Sequence, residues 1–305
     1  MSTTSSSPAI LTPDHSPTSP EADARDADRV VDRSKHDSIS APRPTPRIRL
    51  QLDDVSHPGT EVFLHSIRHL NELFEDALQN IVDYLYTSPS NNNDPDRSSG
   101  PINNTPLSPH RHKHKDNLPL RTFTPTLPST HAVTLILRTK PGVAYTIGNA
   151  QDNDLKEIHF SLTYIASVGK TNSHPRDEIT GVITHELVHC YQHSPSNDHT
   201  SLPAAPGGLV EGIADFVRLS AGLDPPHWNR PRSSGERGER WDAGYQVTAY
   251  FLEWIEKEKV GEGAVGRVND RILRTGYTAD FWTGLFGVDV GKLWEEYGQY
   301  LDGED

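Results

Sequence analysis

Ser, Thr and Pro supply 21 of the first 46 residues, and acidic and basic side chains alternate among them without any apolar period. Such a stretch buries too little surface to offset the entropy of ordering it, so 1–46 is expected to be disordered. A second tract, from Thr87 to Leu118, has only Ile102, Leu107 and Leu118 as apolar side chains and reads as a disordered insertion at 87–118. Inside it, His110-Arg111-His112-Lys113-His114-Lys115 carries metal- and anion-binding side chains, but isolated basic runs are usually solvated, and a surface loop is expected there. These tracts account for the modest apolar content. Apolar residues make up 33%, and 22 glycines in 305 residues add about 7%, for roughly 40% against the 45–50% of an average globular chain. The remainder, 47–302, is expected to form one domain around the insertion.

Within that domain, Arg47-Ile48-Arg49-Leu50-Gln51-Leu52 alternates as a half-buried strand. Residues 61–86 place Val62, Phe63, Ile67, Leu70, Leu73, Phe74, Leu78, Ile81, Val82 and Leu85 at spacings of three and four, which predicts one long amphipathic helix. Ala132–Leu137 and Val143–Ile147 read as strands around a Lys140-Pro141-Gly142 turn, and 157–165 alternates as another. Helical spacing then runs through 175–193, 209–221, 241–258, 261–273 and 289–301. Strands first and helices after make an α+β domain: an N-terminal strand, a long helix and a small mixed sheet, followed by a mainly helical half.

Charge and cysteine content narrow the chemistry. With 42 acidic against 29 basic side chains the net charge is -13, which argues against a general nucleic-acid or anionic-membrane binder. The single cysteine, Cys190, excludes an internal disulfide and any site built from several thiolates. No run of 18 apolar residues offers a membrane span. No secretory signal is visible, so a cytoplasmic protein is expected, with non-classical secretion as the alternative.

The most informative stretch is Thr184-His185-Glu186-Leu187-Val188-His189. Histidines four apart on a helix project from one face, so both rings reach one cation at about 2.0–2.1 Å. Glu186 is rotated about 100° from His185, beside the ion's open position rather than on it. Chance alone gives roughly 0.05 such matches in a chain of this composition, so the motif needs a third ligand to decide the matter. Twenty-two residues on, Glu211 and Asp215 are again four apart, inside the apolar run Leu209–Val217. Acids facing a core must be paired or bound to a cation. A cation on His185 and His189 accounts for Glu211 as third ligand, and Asp215 can hold a ligand histidine by its other nitrogen. Pairing of both acids with Arg218 is the plainer alternative. Gly212 suits close approach of a neighbouring helix.

His-Glu-x-x-His followed by Glu-x-x-x-Asp resembles the gluzincin metallopeptidases. More closely, the chain is similar to the plant basic secretory protein family of peptidases, which has fungal members. The resemblance is carried by Lys156–Ser161, Thr184–Gln192, Gly207–Asp215, Arg240–Tyr245, Arg274–Tyr277 and Leu293–Tyr297. The acidic balance departs from what the family name records. The resemblance implies a zincin-like peptidase domain with one zinc ion on His185, His189 and Glu211, and Glu186 as the base that activates a zinc-bound water. By analogy with gluzincins, Tyr245 is the candidate donor to the oxyanion, with a core-packed aromatic as the alternative. The strand at 157–166 is expected to form the upper edge of the cleft, where an extended peptide can pair.

Other candidates have plainer readings. His159 is expected to face sheet or solvent, Cys190 to be a buried packing residue, and His193 to lie at the site's rim. His199 and His227 lie in polar loops, and the aromatics from Trp241 to Tyr297 are spaced for core packing. The expected function is therefore a zinc-dependent peptide-bond hydrolase, an endopeptidase acting as a monomer on peptide or protein substrates. A non-catalytic zinc-containing binding or defence-type protein is the alternative.

Overall fold

A computed structural model describes residues 38–89 and 122–303. The expected disorder of 1–37 and 90–118, and the His110–Lys115 run, lie outside the described residues. At the inner margins of both tracts the chain is ordered. Strand β1 (Ile39–Ser40) pairs antiparallel with β3 (Thr87–Ser88), and the Ala41 N–H donates to Tyr86 O. The boundaries at 46 and 87 are thus corrected. Two-residue strands carry no readable alternation, and this ribbon is held by a partner 47 positions away.

A four-stranded sheet contains β2 (Arg47–Leu52), β4 (Ala132–Arg138), β5 (Ala144–Gly148) and β6 (Leu155–Ser161), in the order β2-β4-β6-β5. The first three run parallel and β5 runs antiparallel to β6. The strands flanking Lys140-Pro141-Gly142 therefore do not pair with each other, because β6 inserts between them. The strand expected at 157–165 ends at Ser161, whose hydroxyl accepts from the Tyr164 N–H and starts helix α3 (Leu162–Thr171). Two expectations change together. β6 is interior, and the edges of the sheet are β2 and β5, with β5 the edge next to β6.

The helix expected over 61–86 is two helices, α1 (Pro58–Ser66) and α2 (Leu70–Leu85), broken at Ile67-Arg68-His69. They serve different partners. α1 lies so close to α3 that a Cβ on Gly59 would meet Leu162 O at 2.1 Å, whereas α2 packs on the helices that follow. Ile67 and Leu70 fit the apolar stripe of either helix, so periodicity carries straight across the break.

Those helices are α4 (Pro175–Tyr191), α5 (Gly207–Ser220), α6 (Tyr245–Trp254), α7 (Ala264–Thr275), α8 (Phe281–Phe286) and α9 (Val290–Asp302). A single π-turn, Ile255–Lys259, continues α6. α4 is buried nearly all round, with α2 and α5 against it and β5 and β6 alongside. Behind α6 the aromatics pack as expected: the Phe251 ring contacts Trp241, Trp254, Trp282, Trp294 and Tyr297. Among the described residues no helix is long and apolar enough to cross a membrane. The described part is a mixed α+β fold with a small sheet against one central helix.

Candidate metal centre

α4 carries the motif, and both its ends are fixed by side chains from elsewhere. In its first turns the buried Glu178 carboxylate takes the Arg218 guanidinium at 3.0 Å and the Tyr164 hydroxyl at 2.8 Å. Arg218 is thus engaged away from Glu211 and Asp215. At the other end the last carbonyls of a helix have no partner within it. Here Thr130 Oγ1 donates to Cys190 O, the Tyr86 hydroxyl to Tyr191 O, and the Asn197 amide to both His189 O and Gln192 O. Lys156 Nζ holds that amide in turn, at 2.8 Å from Asn197 Oδ1. A helix end pinned at consecutive carbonyls keeps His189 in place.

His185 is buried, and its Nδ1 lies 2.6 Å from Asp215 Oδ1 on α5. A carboxylate accepts, so Nδ1 carries the proton and Nε2 presents its lone pair. That lone pair faces Glu211 Oε2 at 3.1 Å and His189 Nε2 at 3.2 Å, and the third side, His189 Nε2 to Glu211 Oε2, is 3.5 Å. A tetrahedral ion with bonds of about 2.0–2.1 Å has ligand-to-ligand edges of roughly 3.3 Å. The three atoms stand at that spacing, and acceptors facing acceptors need a positive charge between them.

The electrostatics agree. Burial works against a charged His185, yet the bonds to Asp215 and Glu211 prevail and push its pKa up to about 9, so without an ion a proton on Nε2 supplies the positive charge, and a metal cation would displace that proton to reach the lone pair. Burial likewise raises Glu211, but the His185 and His189 bonds outweigh it and hold the carboxyl well below the usual range. The residues present therefore fit a cation, and among the described residues this His185, His189, Glu211 group is the one able to hold it.

Glu186 is buried and stands off this triangle, as its position on the helix requires. Its Oε2 is 2.7 Å from Thr146 Oγ1 on β5. Tyr245 is 57% exposed, so the core-packed alternative does not hold. It follows Gly244 (φ 89°), is itself at φ 47°, and lies near-parallel to the His185 ring with centroids 6.2 Å apart. Partial burial, with Glu211, Asp215 and Glu186 nearby, raises its pKa. Gly212 makes this placement possible, since a Cβ there would meet Thr248 Cγ2 at 2.2 Å. Thr248 Oγ1 in turn accepts from the Gly244 N–H and donates to Trp241 O, fixing the turn that ends at Tyr245.

The family model described as BSP, peptidase of plants and bacteria, matches residues 45–297. The chain belongs to that family. No curated protein and no solved structure matches the chain at a significant level. The match spans both site motifs, and a BSP peptidase acts on peptide or protein substrates.

Other residues of this BSP chain fall into place around the triangle. Gln192, outside the His-Glu-x-x-His motif, has its side-chain amide 3.1 Å from His189 Nδ1 and its Oε1 buried without a partner. Turning the amide over sets Oε1 on an Nδ1–H and leaves the His189 Nε2 lone pair facing the triangle. His193 is not at the rim: it is 2% exposed and bonded through Nδ1 to Asp198 at 2.7 Å. His159 is buried on the outer sheet face, bonded to Glu157 and stacked on Tyr145 at 4.6 Å. Cys190 is fully buried, and burial pushes its thiol pKa up, as a packing residue requires. His199 pairs with Asp154 at 3.0 Å, and His227 is exposed. None of these joins the group of three.

Proposed function

We propose that this BSP peptidase is a zinc-dependent endopeptidase with a zincin-like site, in which His185, His189 and Glu211 hold one zinc ion. The observation that carries the reading is the convergence of three lone-pair atoms at 3.1, 3.2 and 3.5 Å beside the Glu186 carboxylate. When bound, zinc supplies Lewis acidity to water and to the scissile carbonyl. Glu186 takes a proton from the attacking water and delivers it to the leaving amine. The Tyr245 hydroxyl, exposed beside His185, donates to the oxygen on which negative charge develops. Asp215 fixes the tautomer and orientation of His185. β5, the edge strand next to β6, lets an extended peptide pair by its backbone.

A structural zinc closes with a fourth protein ligand. Among the described residues the group stops at three, which favours catalysis over a purely binding role. The test is cleavage of a mixed peptide library by zinc-loaded, chelator-stripped and zinc-restored protein. Cleavage lost on stripping and regained with zinc is expected; hydrolysis indifferent to the chelator contradicts the reading. Asp215→Asn keeps the side-chain volume but removes the charge that orients His185. It is expected to weaken zinc binding about 10- to 100-fold in a competition titration. Wild-type affinity in that variant would show that Asp215 does not support the ligand.

A further inference from the structure

β5 pairs with β6 through its odd-numbered positions. The Ser161 N–H donates to Val143 O at 2.9 Å and the Asn149 N–H to Leu155 O at 2.8 Å, in the register Tyr145↔His159 and Thr146↔Ile158. Bonded and non-bonded pairs alternate along an antiparallel ladder. Tyr145 and Ile147 therefore direct their backbone groups to β6, while Ala144, Thr146 and Gly148 direct theirs away from it. Among the described residues no strand lies on that side.

The Thr146 side chain meanwhile turns to α4, with Oγ1 2.7 Å from Glu186 Oε2 and 2.9 Å from Glu186 O. A hydroxyl has one proton for these two acceptors. The Glu186 carbonyl, inside α4, accepts from the helix's own N–H four residues on. The carboxylate is the stronger acceptor, and a charge-assisted bond is favoured.

We propose that Thr146 is a positioning residue that ties the general base to the bound substrate. Its hydroxyl holds Oε2 of Glu186, leaving Oε1 to move the proton. Its backbone N–H and C=O pair with the extended peptide lying along β5. Correct seating of the peptide and alignment of the base then depend on one residue. This rests on the peptidase reading above, and it names the contact through which substrate pairing reaches the base.

The test compares wild type, Thr146→Val, Thr146→Ser and Glu186→Gln on one cleaved peptide, with zinc content and Tm measured for each. Valine keeps the strand's shape and its backbone edge but loses the hydroxyl. Thr146→Val is expected to lower kcat roughly 10- to 100-fold with KM, zinc content and Tm near wild type, and Thr146→Ser to recover most of the rate. If valine lowers Tm, Thr146→Ser against Thr146→Ala decides: a fast serine and a slow alanine variant support the role, and equal rates overturn it. Wild-type kcat in Thr146→Val overturns the proposal while leaving the peptidase reading intact. A wild type no faster than Glu186→Gln overturns that reading and this proposal with it.

Discussion

Glu186→Gln is expected to bind zinc as the wild type does and to lose about 10²- to 10⁴-fold in kcat. The asymmetry follows from geometry. Glu186 contributes no edge to the triangle of His185 Nε2, His189 Nε2 and Glu211 Oε2, so the amide leaves those atoms where they are. An amide still accepts from Thr146 Oγ1 but cannot take a proton from water, so what is lost is proton transfer. KM should stay near the wild-type value, because the edge of β5 is untouched. Steady-state kinetics with zinc analysis of the same samples check this. A variant that hydrolyses at the wild-type rate would remove Glu186 from the mechanism, and one that loses zinc would place it among the ligands.

Glu211→Ala is expected to lose zinc and activity together, with affinity falling by more than about 100-fold, the upper range for changes in a supporting residue alone. Glu211 is one corner of the triangle and the acidic partner of both histidines. Without it two neutral imidazoles remain, which is one ligand short of a stable catalytic site. Because its side chain is about one-third exposed and Asp215 still holds His185, the fold should persist. Circular dichroism and Tm alongside zinc titration separate the two outcomes. Retained stoichiometric zinc in Glu211→Ala would mean that the third ligand lies elsewhere.

The paired contrast matters because the two acids lie on different helices and were legible for different reasons. His185 and His189 are legible as a pair because residues four apart on a helix share a face, and Glu186 lies one position round from them. Glu211 and Asp215 were legible because charged side chains inside an apolar helical run demand partners, and the structure places both against His185. The central helix and the α+β order of elements followed from periodicity in the same way.

What periodicity could not supply was pairing across distance. Nothing in Ala132–Leu137 says that β4 skips β5 and pairs with β6, so the sequence places the open edge on the wrong strand. Thr146 sits 40 residues from Glu186, and no local pattern joins them. The break at Ile67–His69 was invisible because the stripe continues through it and only the partners change. Gln192 was readable in principle, being three residues past His189 and so on the same face of the helix. The ligand stripe points to a rim position for His193, whereas its bond to loop residue Asp198, five positions on, holds it in the interior.

The three-ligand zinc site is tested most directly by a crystal structure of the zinc-loaded chain with anomalous data at the zinc edge. One peak is expected inside the triangle, within about 2.0–2.2 Å of His185 Nε2, His189 Nε2 and Glu211 Oε2, with no fourth protein ligand. A peak outside that triangle, or one closed by a fourth side chain, would contradict it.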